Sequence, residues 1–253
     1  MRNLIFRLLV PAVLLAILVG GWLWMDYRQY LSSTLTLPDD SPLVFEIKTG
    51  ASLKRVINDL VDQGVIEKPR YILANARLTG NSTRIHVGEY RLEPGMRVSD
   101  FLDILYQGKV IQYSLTLVEG WNFHQMMAAI HSTSQLVHEL AGLSDDEVMR
   151  AIGHADEHPE GRFMPDTYRF TRGMSDVEIL KRAYSAMHGY LEQQWPQRAV
   201  GLPYDTPYEA LIMASIVEKE TGVPSERDTI AGVFVNRLEK GMRLQTDPTV
   251  IYG

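Results

Sequence analysis

An uncharged N-terminal stretch, Leu8–Met25, constrains the fold of this 253-residue chain more than any other feature. With about eighteen residues it just reaches the length that an α-helix needs to cross a bilayer. Trp22, Trp24 and Tyr27 lie at its far end, where membrane-spanning helices carry an aromatic belt. We therefore expect a membrane-spanning helix over residues 8–25.

The flanking sequence indicates how this helix is oriented. Arg2 and Arg7 precede it, and arginines on the N-terminal side favour a cytoplasmic N-terminus. A cleaved signal peptide is the alternative, but its apolar region is normally shorter and ends in small residues, whereas tryptophans follow Gly20 and Gly21 here. We expect residues 1–7 in the cytoplasm, an uncleaved anchor, and the rest of the chain in the periplasm or outside the cell.

The composition restricts the class of protein. Hydrophobic residues make up 45% of the chain and charged residues 22%, which is an ordinary globular balance. The net charge of −6 gives no support for nucleic-acid binding, which usually needs a basic surface stripe. The absence of cysteine excludes disulfides and thiol chemistry and fits either a reducing or an oxidising compartment.

The pattern after the anchor predicts a linker and then a small mixed subdomain. Residues 26–42 are polar and lack a regular pattern, so we expect a linker there. In residues 43–110, strand-like alternation gives way to helical repeats of apolar residues and back again. The predicted strands and helices, in order, are Val44–Ile47, Leu53–Leu60, Pro69–Leu78, Gly88–Leu92 and Val98–Gln107. This subdomain either binds a ligand of its own or serves only for packing.

Residues 111–253 predict a second, mainly helical domain with some strands, so the expected fold class is α+β. Its predicted elements are a strand over Ile111–Val118 and helices near Val148–Ile152, Val177–Gln194, Pro207–Thr221 and Glu226–Lys240. Helix starts are indicated by the capping pairs Ser144 with Glu147, Ser175 with Glu178 and Thr206 with Glu209, and by Ser225.

The most apolar of these helices contains the run Ala210–Val217, which only Ser215 interrupts. We therefore expect this helix to be buried nearly all round, with Glu218 at its end as an acid in apolar surroundings. Such surroundings let a carboxyl group keep its proton near neutral pH and deliver it to a substrate. The alternative is a solvated glutamate, or one that is paired with Lys219 or Arg227.

The stretch before these helices contains a candidate metal site and a candidate sugar site. His154 and His158 are four residues apart, but Gly153 and Pro159 bracket them and no third ligand with recognisable spacing follows. We therefore expect a loop there and no metal. Residues 160–170 are rich in aromatic residues, Gly and Pro beside charged and hydroxyl groups, which suits a sugar-binding wall as well as an ordinary loop.

Three motifs follow one another in the second domain: Glu160-Gly161 with Pro165–Tyr168, then Ala214–Thr221, then Arg243–Gly253. Together they resemble the endolytic murein transglycosylases of the MltG (YceG-like) family, and the match around Glu218 is very specific. The anchor, a LysM-like subdomain over residues 43–110 and the Glu119-Gly120-Trp121 junction match in the same order. Members of the family continue beyond this point, so we expect the catalytic domain, residues 111–253, to lack its C-terminal part.

The resemblance implies a carbon–oxygen lyase that acts on peptidoglycan glycan strands without a cofactor. It implies cleavage of the β-1,4 bond from N-acetylmuramic acid to N-acetylglucosamine within strands, leaving a 1,6-anhydro end. It also implies a single-pass inner-membrane protein with a periplasmic catalytic domain, which sets strand length alongside the peptidoglycan synthases. Glu218 matches the catalytic position, acting as general acid and then as general base.

Other motif residues are candidates for assisting roles. Asp166 and Asp247 are the carboxylates that could activate water in a hydrolase. Contacts to the substrate, or purely structural hydrogen bonds, are expected from Tyr168, Asn236, Gln245 and Thr246. Two alternatives to the transglycosylase therefore stay open: a muramidase-type hydrolase that uses Glu218 with a second carboxylate, and a peptidoglycan-binding scaffold without catalytic activity.

Overall fold

The computed structural model describes residues 2–38, 41–48, 50–83 and 85–246, with the backbone alone for residues 2–9. The chain divides into two compact units, Met1–Gln112 and Tyr113–Gly253, here called the N-terminal unit and the C-terminal unit. Both contain helices and strands, so the fold class is α+β, as the sequence predicted.

A long helix, α1 (Arg2–Ser32), begins the N-terminal unit. Within its segment Val10–Ser32, the most apolar window of 18 residues has a mean hydropathy of 1.6 and is entirely unburied. By length and composition, the segment could cross a membrane or serve as a signal sequence. The span predicted over residues 8–25 lies within this helix.

The rest of the N-terminal unit packs three helices with one pair of strands. The elements are β1 (Leu43–Ile47), α2 (Leu53–Asp62), α3 (Pro69–Leu78), β2 (Gly88–Leu92) and α4 (Val98–Gln107). The two strands are antiparallel, with Phe45 opposite Tyr90. Apolar residues at helical spacing give each helix a buried face, and Ile57, Ile72 and Phe101 are fully buried in the common core.

Part of the stretch predicted as a linker, residues 26–42, packs with the N-terminal unit. Helix α1 continues through Ser32, and Tyr30 and Leu35 join the core at 7% and 6% exposure. The Leu35 amide also donates a hydrogen bond to the Met96 carbonyl at 2.8 Å. The stretch looked featureless because few apolar side chains tie it to the core, and they do not recur at a regular spacing.

The C-terminal unit contains two strands and five helices among its described residues. They are β3 (Tyr113–Thr116), α5 (Phe123–Ser132), α6 (Asp145–Ile152), β4 (Thr167–Phe170), α7 (Asp176–Gln194), α8 (Pro207–Glu220) and α9 (Arg227–Glu239). The strands pair antiparallel, with Leu115 opposite Tyr168. Together with α5, α6 and α7 they enclose one large apolar cluster, here called the β3–β4 core. Helices α8 and α9 form a second, smaller cluster, here called the α8–α9 pair.

The predicted helix starts are mostly confirmed. Ser144 and Glu147 form the capping box of α6. At α7, Ser175 is the N-cap, but it accepts its hydrogen bond from the Val177 amide, and the predicted box with Glu178 is not formed. The Ser225 cap was wrong, because a short 3₁₀ turn, Pro224–Glu226, leads into α9 instead.

The prediction that α8 is buried nearly all round was wrong. Only Met213, Ile216 and Val217 are buried, and Ile212 is 45% exposed. The apolar composition of the helix was read correctly, but α9 packs against one side of it. An apolar run fixes how much surface a helix could bury, whereas its neighbours decide how much it does bury.

Candidate active site

Helix α8 carries Glu218 in its last turn, and its first turn is fixed by local hydrogen bonds. The Thr206 hydroxyl accepts from the Glu209 amide at 3.2 Å, and the Glu209 carboxylate accepts from the Thr206 amide at 3.2 Å. Pro207 occupies the first turn, where its missing N–H costs nothing. This capping box confirms the helix start that the sequence predicted.

The Glu218 side chain is half exposed and ion-paired. Its Oε2 lies 2.8 Å from Nη2 of Arg227, and the two side chains are 51% and 43% exposed. The expectation of an acid enclosed by apolar side chains was therefore wrong for this state of the protein. The alternative, an ion pair with Arg227, is what the structure contains.

The connection between α8 and α9 holds Arg227 beside Glu218. Thr221 ends α8 and is only 7% exposed. Its hydroxyl donates to the Glu226 carboxylate at 2.8 Å and accepts from the Val223 amide at 3.0 Å. Because these bonds close the short turn before α9, they fix the distance between the last turn of α8 and the first turn of α9.

The residue after Glu218 links α8 to the turn that follows β3. Lys219 Nζ donates to the Gly120 carbonyl at 3.2 Å. Gly120 has φ +76°, a left-handed conformation that favours glycine. The Glu119-Gly120-Trp121 junction singled out in the sequence is therefore the point where this turn meets the end of α8.

Asp166 lies against the same part of the chain. The Leu117 amide donates to the Asp166 carbonyl at 3.0 Å, and the exposed Asp166 carboxylate accepts from the Thr167 amide at 2.6 Å. The segment Leu117–Gly120 thus contacts Asp166 at one end and Lys219 at the other. Of the predicted site residues, Asp166 contacts this segment, and Glu218 precedes Lys219, which contacts its other end.

The loop after α6 contacts the start of α8. The Tyr208 hydroxyl donates to the Glu160 carbonyl at 3.0 Å, and the Arg162 guanidinium lies 3.7 Å from the centre of the Tyr208 ring. A Cβ added to Gly161 would lie 3.3 Å from Leu211, so this loop approaches α8 closely. Sequence reasoning did not predict this contact between Arg162 and Tyr208. The available signals were that Arg162 lies within a motif that matches the family and that Tyr208 lies in the capped first turn of α8.

The geometry gives Tyr168 a packing role. Its side chain is 6% exposed, and its hydroxyl donates to the Met164 carbonyl at 2.6 Å. Burial, with a smaller contribution from the negative charge of Asp166, raises the pKa of Tyr168 to about 12. The structural hydrogen bond that the sequence left open as one of two roles is the one that Tyr168 makes.

The remaining predicted residues lie on α9 and after it. Asn236 and Gln245 are exposed and Thr246 is buried at 6% exposure; Asp247 lies outside the described residues. Gln245 has φ +55°, an uncommon conformation for a residue other than glycine. The Arg237 guanidinium donates to the Leu244 carbonyl, which holds this segment against α9. Among the described residues, no hydrogen bond or ion pair joins Asn236 or Gln245 to Glu218.

The two histidines of the candidate metal site have other contacts. The His154 ring stacks on Tyr184 at 3.7 Å, and its Nδ1 lies 3.4 Å from the Glu157 carboxylate. His158 Nδ1 accepts from the Glu160 amide at 3.2 Å. Within the described ranges, no group of three or more His, Cys, Asp or Glu side chains is arranged to hold a metal ion.

The curated proteins that match this chain are endolytic murein transglycosylases. The chain is 28% identical to an endolytic murein transglycosylase of Bacillus subtilis (strain 168), over 82% of this chain and 62% of that protein. It is 24% identical to an endolytic murein transglycosylase of Streptococcus pneumoniae (strain D39), over 95% of this chain and 48% of that protein. The chain thus spans between about half and three fifths of the length of these curated relatives.

A solved structure and a family model also match. The crystal structure of a putative YceG-like protein from Listeria monocytogenes is 26% identical over 84% of this chain and 75% of that chain, with a TM-score of 0.42. The model of the YceG-like family matches residues 45–253. That range includes most of the N-terminal unit beyond α1 and the whole C-terminal unit, and the chain therefore belongs to the YceG-like family.

Proposed function

We propose that the full-length protein is a membrane-anchored, endolytic peptidoglycan lytic transglycosylase that uses Glu218 as its acid and base. The observation that carries this proposal is the family match over residues 45–253, which includes the whole motif around Glu218. The names of the curated relatives support a glycan strand of peptidoglycan as the substrate. The bond cut is the β-1,4 bond from N-acetylmuramic acid to N-acetylglucosamine.

One carboxyl group suffices for this reaction. Protonated Glu218 gives its proton to the glycosidic oxygen as the bond from that oxygen to the anomeric carbon breaks, and an oxocarbenium-like centre forms. The C6 hydroxyl oxygen of the same sugar then closes on the anomeric carbon, and its proton passes to the Glu218 carboxylate. The products are a 1,6-anhydro end and a free 4-hydroxyl group. Glu218 is regenerated, and water takes no part.

The ion pair with Arg227 describes the site before the glycan binds. The carboxylate makes this pair in its ionised form, whereas the first step needs the acid. A bound glycan strand would have to break the pair, with sugar hydroxyl oxygens accepting from Arg227 in place of the carboxylate. Arg227 would pair with Glu218 again once the carboxylate is ionised between its acid and base steps.

Product analysis in water enriched in heavy oxygen tests the reaction type. The full-length wild-type protein digests purified peptidoglycan, and the new strand ends are weighed by mass spectrometry. A lytic transglycosylase produces anhydro ends that contain no solvent oxygen. Ends that are heavier by one water and carry the heavy isotope would contradict the proposal.

A hydrolase is the second candidate, and the position of Asp166 favours it. An exposed carboxylate lies at one end of the Leu117–Gly120 segment, and Lys219, the neighbour of Glu218, contacts the other end. A hydrolase needs such a second carboxylate to activate water or attack the sugar. Hydrated ends that disappear in Asp166→Asn would identify this mechanism.

The N-terminal unit supports the cellular part of the proposal. Helix α1 serves as an uncleaved inner-membrane anchor over residues 8–25, with residues 1–7 in the cytoplasm and the catalytic domain, residues 111–253, in the periplasm. Residues 43–110 serve as a LysM-like glycan-binding subdomain, and peptidoglycan synthases are the partners with which the enzyme sets strand length. A non-catalytic scaffold would instead bind glycan in a pull-down and leave it uncut by the full-length wild type.

A further inference from the structure

Helix α1 and the subdomain that follows it are joined by a polar cluster at the end of the apolar span. The Asp26 carboxylate accepts hydrogen bonds from Lys68 Nζ at 2.8 Å and from the Tyr71 hydroxyl at 2.5 Å. The Tyr27 hydroxyl accepts from Asn75 Nδ2 at 2.9 Å. Because an ion pair of this kind does not belong among lipid tails, the hydrocarbon part of α1 must end before Asp26.

The contacts of α3 place it beside the last turns of α1. Near its start, the Lys68 amide donates to the Tyr30 hydroxyl at 3.2 Å, whereas near its end Asn75 contacts the hydroxyl of Tyr27. Tyr27 precedes Tyr30 by three residues, so it lies about 4.5 Å nearer the apolar span along α1. Because the Lys68 and Tyr71 side chains also reach Asp26, α3 lies beside residues 26–30 of α1, with Asn75 at the level of the Tyr27 hydroxyl.

Helix α4 runs along α1 toward the apolar span. At its start the Val98 amide donates to the Ser33 carbonyl, just beyond the end of α1. Near its end the Tyr106 hydroxyl donates to Asn75 at 3.2 Å. The start of β2 is at this end too, because a Cβ added to Gly88 would lie 2.9 Å from Val110. We call residues 77–83, 85–87 and 107–110 the membrane-proximal end of the N-terminal unit.

The membrane-proximal end combines exposed apolar side chains with positive charge. Leu78 is 76% exposed and Val87 is 48% exposed, and Arg77, the neighbour of Leu78 in the chain, and Lys109 are exposed as well. Neither 77–87 nor 107–110 contains an acidic residue. A single exposed leucine is ordinary on a protein surface. Leu78, however, lies at the end of the unit that is nearest the apolar span of α1, where it can contact lipid.

We propose that the membrane-proximal end rests on the phospholipid headgroups, with Leu78 and Val87 inserted among them and Arg77 and Lys109 paired with their phosphates. The dimensions agree, because each headgroup layer is about 5–8 Å thick and the Tyr27 hydroxyl lies at or just outside the end of the apolar span. Apolar tips flanked by cations are the side chains that bind at this depth. The proposal rests on the membrane anchoring proposed above, and it adds a second membrane contact through the subdomain itself.

Site-directed spin labelling tests this contact, and the absence of native cysteine makes every label unique. The full-length protein is reconstituted in nanodiscs of anionic phospholipid with a nitroxide at Leu78→Cys. The matched control is Glu93→Cys, which is half exposed and lies just after the opposite end of β2. A label at Leu14→Cys, in the apolar span, reports on the anchor.

The Leu78 label is expected to collide with oxygen at least about twofold more often than the Glu93 label, and less often with a water-soluble nickel complex, because oxygen concentrates in lipid. Equal collision rates at Leu78 and Glu93, with the Leu14 label in hydrocarbon, would overturn the headgroup contact and leave the anchor intact. A Leu14 label in water would overturn the anchor and the headgroup contact together. Neither result bears on the product analysis, so the two proposals fail independently.

Discussion

The β3–β4 core and the α8–α9 pair are built differently although they belong to the same unit. Among the described residues, eighteen are buried in the cluster of the β3–β4 core, and four in that of the α8–α9 pair. The pair is held instead by polar links, such as those of Thr221 and Arg237. Glu218, the candidate catalytic residue, therefore lies on the α8–α9 pair, which has a small buried core, and not on the β3–β4 core, which has a large one.

The same substitution made in both regions should show this contrast most strongly. Phe170→Ala in the β3–β4 core is expected to lower the free energy of unfolding by about 3–5 kcal/mol, because the side chain is enclosed and leaves a cavity. Phe234→Ala in the α8–α9 pair should cost about 1.5–3 kcal/mol, close to the transfer term alone. Denaturant unfolding of the two variants measures both values, and equal losses would contradict the comparison.

A buried carboxylate also distinguishes the β3–β4 core. Asp176 is fully buried, and its oxygens accept from the amides of Glu139 and Leu140 at 3.1 and 3.2 Å. Asp176→Ala leaves two amides without an acceptor and should lower the free energy of unfolding by about 2–3 kcal/mol. Asp176→Asn keeps one acceptor oxygen and should lose less. An alanine variant as stable as the asparagine variant would show that these bonds do not hold the loop.

High pH should weaken the β3–β4 core through its tyrosines. Burial raises the pKa of Tyr168 and of Tyr184 to about 12, whereas tyrosine ionises near pH 10 in an unfolded chain. The unfolded state therefore loses its protons first, and the stability that these groups contribute is complete below about pH 10 and is lost as the pH rises toward about 12.

Tyr168→Phe should consequently lose less stability between pH 10 and 12 than the wild type, while Tyr184 still titrates. Chemical unfolding at a series of pH values measures the slope. Tyr190→Phe, at a half-exposed position, serves as the control. A slope in Tyr168→Phe equal to that of the wild type would show that Tyr168 does not contribute.

The smallest effect concerns the turn that joins α8 to α9. Thr221→Val removes the hydroxyl that bonds Glu226 and Val223 and should cost about 1 kcal/mol. Amide hydrogen exchange should accelerate in α9, and the distance between Glu218 and Arg227 should become less defined. Thr229→Val, at an exposed position on α9, should leave the exchange unchanged. Equal exchange in both variants would mean that the hydroxyl does not order the turn.

Local signals in the sequence predicted most elements, but α5 (Phe123–Ser132) and β4 (Thr167–Phe170) were missed. The apolar periodicity placed most helices and strands, and the Thr206 box fixed the start of α8, because caps depend on residues within one turn. The surroundings of Glu218 could not be predicted in this way. Whether Ile212 faces a neighbour or solvent depends on which elements fold against α8, and those lie far away in the sequence.

Residues that act at a distance escaped prediction for the same reason. Arg162 and Tyr208 are 46 positions apart in the printed sequence, and only the folded chain brings their side chains together. The packing of Tyr30 and Leu35 was not predicted, because a few buried side chains are enough to fix a stretch that has no periodic pattern. The family was recognised from the motifs and not from apolar periodicity, because a motif match depends on residue identity and not on packing.

The most direct test of the catalytic claim compares two glutamates in the last turn of α8. Glu218→Gln in the full-length protein removes the proton that the reaction needs, whereas Glu220→Gln makes the same chemical change at a neighbouring exposed position. The account predicts that formation of anhydro ends falls by about 10²–10⁴-fold or more in Glu218→Gln and stays near the wild-type rate in Glu220→Gln. Undiminished anhydro product from Glu218→Gln would contradict it.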